Sequence, residues 1–422
     1  MTDFDSRDFF TDPSFVPDPQ PYFDHLRSKG PVVREPHHGV IAVTGYDETL
    51  EVYKDADTYS NCVALGGPFP PLPFEPVGDD IDALIGQHRH KMPAHEHMVT
   101  MDPPQHTRAR SLLSRLLTPA RLKENQEFLW RLADAQLDEF VADGACEFLT
   151  AYSKPYSLLA IADLLGVPEA DHREFRAALA NPHTAGNLDH DPAATNPLQF
   201  LDDKFSAYIE DRRSRPRDDV LTDLALAKYP DGSTPPVTDV VRTATFLFGA
   251  GQETTAKLLG FALRILCDQP ELQHALRRDP SLIPAFLEET LRLESPVKAD
   301  FRLVRKTTSL GGVDLPAGTV VMVTPGAANR DPDKFGCPHE FQLYRKNVRE
   351  HVAFARGVHS CPGAPLARVE GRVSLERILK RMTDITAEEA HHGPPGDRSY
   401  RYEPTYILRG LTDLHLRFTP AG

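Results

Sequence analysis

The sequence predicts a mainly α-helical fold with a minor β component, of the α+β class. Three observations carry this. Helical apolar spacing with interleaved charges recurs over six long segments, β-like runs are few and short, and the two never alternate as βαβ units. The last point disfavours a Rossmann sheet or a TIM barrel.

In chain order, the first β-like run is Val40–Thr44, within a β-richer region near residues 30–60. Helical spacing then covers Thr107–Leu117, Arg121–Val141, Val237–Asp268, Pro270–Arg278 and Ser281–Leu293, all inside a helical body over 100–295. A second β-like run, Val320–Thr324, follows the turn-forming Pro316-Ala317-Gly318 and belongs to a β-richer region over 296–325. The final helix is predicted over Ala364–Met382. No repeat of solenoid period is visible, and residues 1–422 read as one domain. Two irregular stretches interrupt the pattern, Gly66–Pro76, with five prolines and two phenylalanines, and Asn181–Pro197. Each reads either as a binding loop or lid, or as a solvated linker.

Composition narrows the function classes. The 422 residues are 40% hydrophobic and 26% charged, enough for a packed core. Lysine plus arginine total 47 against 61 acidic residues, a net charge of −14, which argues against a nucleic-acid binder. No run of 18 apolar residues is present, so membrane insertion is not expected, and the acidic start lacks the features of a secretory signal. The five cysteines are scattered, with no C-x-x-C pair; a disulfide scaffold is not expected and a reducing cytoplasm is.

Cys361 has a neighbourhood unlike the others. Gly357 and Gly363 bracket it, Pro362 follows, and a predicted helix starts at Ala364. Backbone N–H groups and a helix N-terminus there favour thiolate over thiol. Such a sulfur could be a nucleophile or a metal ligand, and the residues alone leave both open.

The segment Phe354-Ala355-Arg356-Gly357-Val358-His359-Ser360-Cys361-Pro362-Gly363 resembles the haem-binding loop of the cytochrome P450 family, F-G-x-G-x-H-x-C-x-G. It departs at Ala355, where the family has glycine. The resemblance implies a helix-rich domain and a smaller β-containing region around buried haem b, with Cys361 as the proximal thiolate ligand to iron. The thiolate would push electron density to iron, and the loop's N–H groups would tune it.

Other segments are similar to family motifs. In Phe246–Thr255, two glycines in a helix cost about 1 kcal/mol each relative to alanine. They read either as close helix packing or as room for a ligand. Ala250, Gly251, Glu253 and Thr254 resemble A-G-x-[DE]-T, which implies that Thr254 hydrogen-bonds bound dioxygen while Glu253 relays protons. Glu289 and Arg292, 72 residues before the cysteine, resemble the structural E-x-x-R pair, with Arg345 as its third member. Asp102–Arg110 resembles D-P-P-x-H-x-x-x-R, and Ser295–Arg302 a strand that delivers an arginine. His106, Arg110, Arg302 and His359 are thus the implied partners of the haem propionates.

By the same analogy Phe246, Gly249, Ala250, Val297, Ile407 and Leu408 line the substrate pocket. Lys298 is expected either to face the pocket and meet an acidic or polar substrate group, sharing strand parity with Asp300 and Arg302, or to be exposed or paired with an acid. The implied activity is hydroxylation of a hydrophobic small molecule (steroid, terpenoid, fatty-acid or polyketide-like) by a monomer using O2. Electrons would come from NAD(P)H through a ferredoxin reductase and a ferredoxin. The ferredoxin would dock near Lys346, Arg349, Arg356, Arg368 and Arg372, basic residues clustered in sequence around the loop; Arg345 of the same run is expected to be internal, and a surface face without function is the alternative. Alternatives are a peroxide-driven peroxygenase and a non-catalytic haem sensor.

Overall fold

The strongest helical signal in the sequence becomes a 32-residue helix, Val237–Asp268, about 48 Å long at 1.5 Å per residue. It ends where the sequence says it should. Gln269 is pushed out of helical geometry by Pro270, which opens the next helix, Pro270–Arg278. This computed structural model describes residues 3–179, 188 and 198–421; of the expected loop Asn181–Pro197, all but Leu188 lies outside the described residues.

The long helix packs against Lys154–Leu164, Gln199–Ser214 and Ala364–Arg381, all helical, and it runs uninterrupted through Gly249 and Gly251. Those glycines permit close approach. A Cβ on Gly249 would stand 3.2 Å from Leu198, and one on Gly251 3.4 Å from Ile161. The predicted Thr107–Leu117 helix is instead Gln105–Arg110 followed by a tighter 3-10 segment, Ser111–Arg115. The next helix, Pro119–Asp138, starts earlier than its periodicity suggests, because the Thr118 side chain accepts from the Arg121 N–H and Pro119 sits in the first turn.

The two β-richer regions meet in one five-stranded sheet, ordered Val32–Arg34, Ile41–Val43, Val320–Val323, Asp300–Val304, Tyr59–Ser60. Ile41–Val43 and Val320–Val323 pair in parallel and the other neighbours are antiparallel. A second sheet joins Ala145–Glu147, His415–Pro420 and Met382–Ala387. Thr308–Leu310 and Val313–Leu315 form a hairpin closed by Gly311 and Gly312, both at positive φ. The helices share one large apolar core that includes Leu129, Tyr152, Phe248, Leu263 and Val373. A second core gathers Phe9, Phe10, Tyr22, Phe301 and Tyr406 beside the five-stranded sheet.

Candidate active site

The cysteine loop is fixed by its backbone. The Cys361 N–H donates to the Phe354 carbonyl at 2.9 Å, and the Val352 N–H to Asn329 Oδ1 at 2.7 Å. Gly357 has φ +70°, and a Cβ there would stand 2.1 Å from the Tyr53 carbonyl oxygen, so only glycine fits. Ala355, where the family pattern has glycine, adopts a left-handed φ of +53°. The sulfur lies deep in the fold yet opens into a cavity that Phe354 and Gly363 also line. Burial raises the Cys361 thiol above its ordinary range, and the N–H groups of Gly363 and Ala364 and the charge of Arg110 only partly oppose this. The loop's N–H groups thus favour the thiolate, as expected, against the opposing effect of burial, and a bound cation would favour it further.

One edge of the cavity is polar. His106 and His359 face each other with ring centroids 3.9 Å apart. Burial first, then neighbouring charges, pushes His106 down to about 4 and His359 down to about 2. His106 Nδ1 and His359 Nε2 are buried without a hydrogen-bond partner. Arg110 lines the same edge and donates to the Ser360 carbonyl at 2.7 Å. Arg302, 4% exposed, stands just behind, 3.6 Å from Asp300 Oδ1 and 5.4 Å over the Tyr53 ring. Two orphaned imidazole nitrogens and two guanidiniums are the surroundings a dianionic edge requires, so the residues fit the propionates of haem.

Across the cavity from Cys361 run Phe246, Ala250, Gly251 and Thr254 of the long helix. The Thr254 hydroxyl donates to the Ala250 carbonyl at 2.8 Å. Glu253 faces a separate, neighbouring cavity, where Lys257 bonds it at 2.8 Å and also pairs with Glu403 at 2.7 Å. Lys257 reaches that position past Gly410, where a Cβ would stand only 2.7 Å from its Cγ.

The structure corrects four pocket assignments among the described residues. Gly249 turns towards Leu198, away from the cavity. Ile407 and Leu408 are buried in the second core; the Ile407 carbonyl accepts from the Lys298 and Ala299 N–H groups, and Leu408 bridges Val297. Val297 does line the cavity. Lys298 does not. Its ammonium lies 6.0 Å from the Phe9 ring, and burial, then Arg409, lowers it to about 7. Parity failed because regular strand begins only at Asp300, so Val297 and Asp300 both face inwards.

Asp300 and Tyr53 also line the cavity, and the sequence reading missed both. Burial raises the Asp300 carboxyl, its Oδ1 has no hydrogen-bond partner, and the Tyr53 hydroxyl donates to Oδ2 at 3.3 Å. Glu370, fully buried on the Ala364–Arg381 helix, is another missed lining residue, raised well above the carboxylate range by burial. Asp300 was readable from its spacing to Arg302; Glu370 lacked a local signal.

Behind the site, Glu289, Arg292 and Arg345 meet in a buried network. Arg292 donates twice to Glu289 at 2.8 Å, and Arg345 Nε donates to both carboxylate oxygens at 3.0 and 3.1 Å. Arg345 is therefore internal, as expected. Arg368 is likewise committed, to Glu288 at 2.6 and 2.9 Å, and Arg372 to Glu376 at 3.1 Å. Lys346 and Arg349 are exposed beside Tyr344.

Known proteins resemble this chain along most of its length. The family model described as Cytochrome P450 matches residues 187–390. Cytochrome P450 144 of Mycobacterium tuberculosis is 33% identical over 397 residues, 91% of this chain and 87% of its own. The cytochrome P450 monooxygenase PikC of Streptomyces venezuelae is 31% identical, over 96% of this chain and 92% of its own. Among solved structures, substrate-free CYP150A6 from Mycobacterium marinum superposes with a TM-score of 0.95 at 67% identity, covering 99% of this chain and all of that one. CYP109E1 from Bacillus megaterium in complex with corticosterone has a TM-score of 0.79 at 26% identity, covering 96% and 100%. The fold and site define a haem-dependent oxygenase. The chain belongs to the cytochrome P450 family, monooxygenases that carry haem b.

Proposed function

We propose that this protein hydroxylates a hydrophobic small molecule, of steroid, terpenoid, fatty-acid or polyketide-like chemistry, with O2 and electrons delivered by a ferredoxin. The observation that carries the reading is a cavity between Cys361 and Thr254 with polar groups gathered on one edge. Most of its remaining wall is apolar, including Met98, Phe246, Leu247, Leu258 and Val297. The relatives support the same range: CYP109E1 was also solved with testosterone, and P450BioI with hexadec-9Z-enoic acid on its acyl carrier protein.

In this reading Cys361 ligates the iron, while His106, Arg110, Arg302 and His359 receive the propionates. Haem b, when bound, supplies the activation of dioxygen and the one-electron chemistry. Thr254 holds a proton at Oγ1 on the cavity side of the long helix. Glu253 takes protons up from the neighbouring cavity, and Lys257 is a positioning residue that sets where its carboxylate rests. The apolar wall excludes water from the reacting bond. The donor docks on the face carrying Lys346, Arg349 and Arg356, and the protein works as a monomer in the cytoplasm.

Cys361→Ala should lose the red-shifted reduced-CO band that thiolate ligation produces, and retention of that band would overturn the ligand assignment. Turnover with ferredoxin and NAD(P)H but not with peroxide alone separates a monooxygenase from a peroxygenase. Ligand-induced spin-state shifts without turnover would mark a sensor instead.

A further inference from the structure

We propose that Glu388, His391 and His415 bind one divalent transition-metal ion of the zinc class on the C-terminal sheet. None of the three lines the haem cavity, so the proposal stands apart from the oxygenase reading.

The fold brings the set together from two directions. Glu388 follows the strand Met382–Ala387 directly and is the N-cap residue of the short helix Glu389–His392. Its N–H donates to the His415 carbonyl at 2.9 Å, which sets the first residue of His415–Pro420 beside it. His391, three residues on, comes round on the same side. The His391 and His415 rings then stack almost parallel, with centroids 3.7 Å apart and planes 9° apart. One donor atom from each of the three residues lies within 4.8 Å of the other two. Donors around a tetrahedral zinc ion stand about 3.4 Å apart, given metal–nitrogen bonds of about 2.1 Å. Because an imidazole holds a metal in its own ring plane, ligation requires the His391 ring, 46% exposed, to swing out of its parallel stack on His415.

Neighbouring groups aim the donors. Arg417 donates to Glu388 Oε1 from Nε at 2.9 Å and Nη2 at 2.7 Å, and the other carboxylate oxygen lies 3.7 Å from His391 Nε2. Asp413 Oδ2 lies 3.5 Å from His415 Nε2, and that carboxylate is tied to Arg401 at 3.0 Å. Such outer carboxylates orient metal-binding imidazoles. Two imidazoles with one carboxylate suit zinc, nickel or copper, and not magnesium or calcium, whose preferred ligands are all oxygen. Three protein ligands leave a fourth position for water. Metal binding would open the stack of the two imidazoles and turn both nitrogens towards the ion.

The test uses the untagged, haem-loaded protein, dialysed against zinc sulfate and analysed for zinc and iron together. One zinc per chain beyond the iron is expected, with imidazole scattering at the zinc absorption edge. His391→Ala and Glu388→Gln should each weaken binding by about tenfold or more. Arg417→Gln should tighten it, because the carboxylate is released from a competing cation. Haem content and the far-ultraviolet spectrum, unchanged in each variant, show that the fold persists. If equimolar zinc is not taken up, or if the double variant His391→Ala, His415→Ala retains it, the site does not exist.

Discussion

Glu289→Gln removes one charge from the most completely buried ionic network near the cysteine loop. Glu289 and Arg292 are both 0% exposed and Arg345 is 8% exposed, so solvent cannot replace the lost partner. The carboxylate accepts two bonds from Arg292, two from Arg345 and one from the Gln342 N–H. The arginines in turn hold the carbonyls of Gly336, Cys337, Pro338 and Glu340, and Arg292 holds that of Asn329, whose side chain accepts from Val352 at the start of the cysteine loop. With glutamine in place, two guanidiniums face a neutral amide that must point an NH2 group towards one of them. Breaking a buried pair in this way costs about 3–5 kcal/mol, roughly two to four orders of magnitude in the folding equilibrium. Whole-domain stabilities are about 5–15 kcal/mol, so the variant should unfold at much lower denaturant and purify with little haem. Equilibrium unfolding in urea, read by far-ultraviolet signal and by haem absorbance, measures both. A loss below about 1 kcal/mol with full haem content would refute the reasoning, because it would mean the network is solvated or dispensable.

Four further outcomes follow from other sites. Lys298→Met should stabilise the protein by about 2–4 kcal/mol at pH 7, since a lysine lowered to about 7 by burial and by Arg409 carries a penalty when charged. The unfolded chain binds the extra proton between pH 7 and the ordinary lysine range, so wild-type stability should rise with pH across that window and the variant's gain should shrink to nothing, as denaturation curves at several pH values will show. At Glu294, burial opposes ionisation, but Arg409, Arg264 and Arg330 prevail and draw it down to about 2. Its contribution is complete above the ordinary carboxylate range and drains away as pH falls to about 2, so Glu294→Gln should flatten the acid limb of stability; an unchanged slope would rule this out. Thr254→Ala should keep reductant consumption while diverting it to hydrogen peroxide, whereas Lys257→Met should slow product formation with a larger solvent isotope effect. Full coupling in the first, or wild-type kinetics in the second, would reassign the proton route.

Local chemistry decided how much could be read in advance. The ends of Val237–Asp268 and Pro270–Arg278 were legible because Gln269-Pro270 breaks the helix by steric rule. The Gly311-Gly312 hairpin carries a strong two-residue turn signal between apolar runs and was readable, though the periodicity reading passed over it. Lys298, Ile407 and Leu408 were misplaced for a different reason. Their orientation depends on an isolated bridge between Val297 and Leu408, a pairing across more than a hundred residues with no signature in either segment. The link from Glu253 through Lys257 to Glu403 has the same origin: the first step is helical spacing, the second is tertiary. Cys361 was found through its flanking glycines, but the burial that opposes its ionisation is not encoded in the loop sequence.

The passage of Lys257 beside Gly410 makes a steric detail into an electrical one. An added methyl group at position 410 would displace a stem rather than a charge, yet the ammonium at the end of that stem would withdraw with it. Glu253 and Glu403 would then confront each other across the gap with nothing between them, and the carboxy-terminal loop would be pushed from the helix it now joins. In this place the smallest side chain keeps two anions compatible, and a neutral substitution would behave like a change of charge.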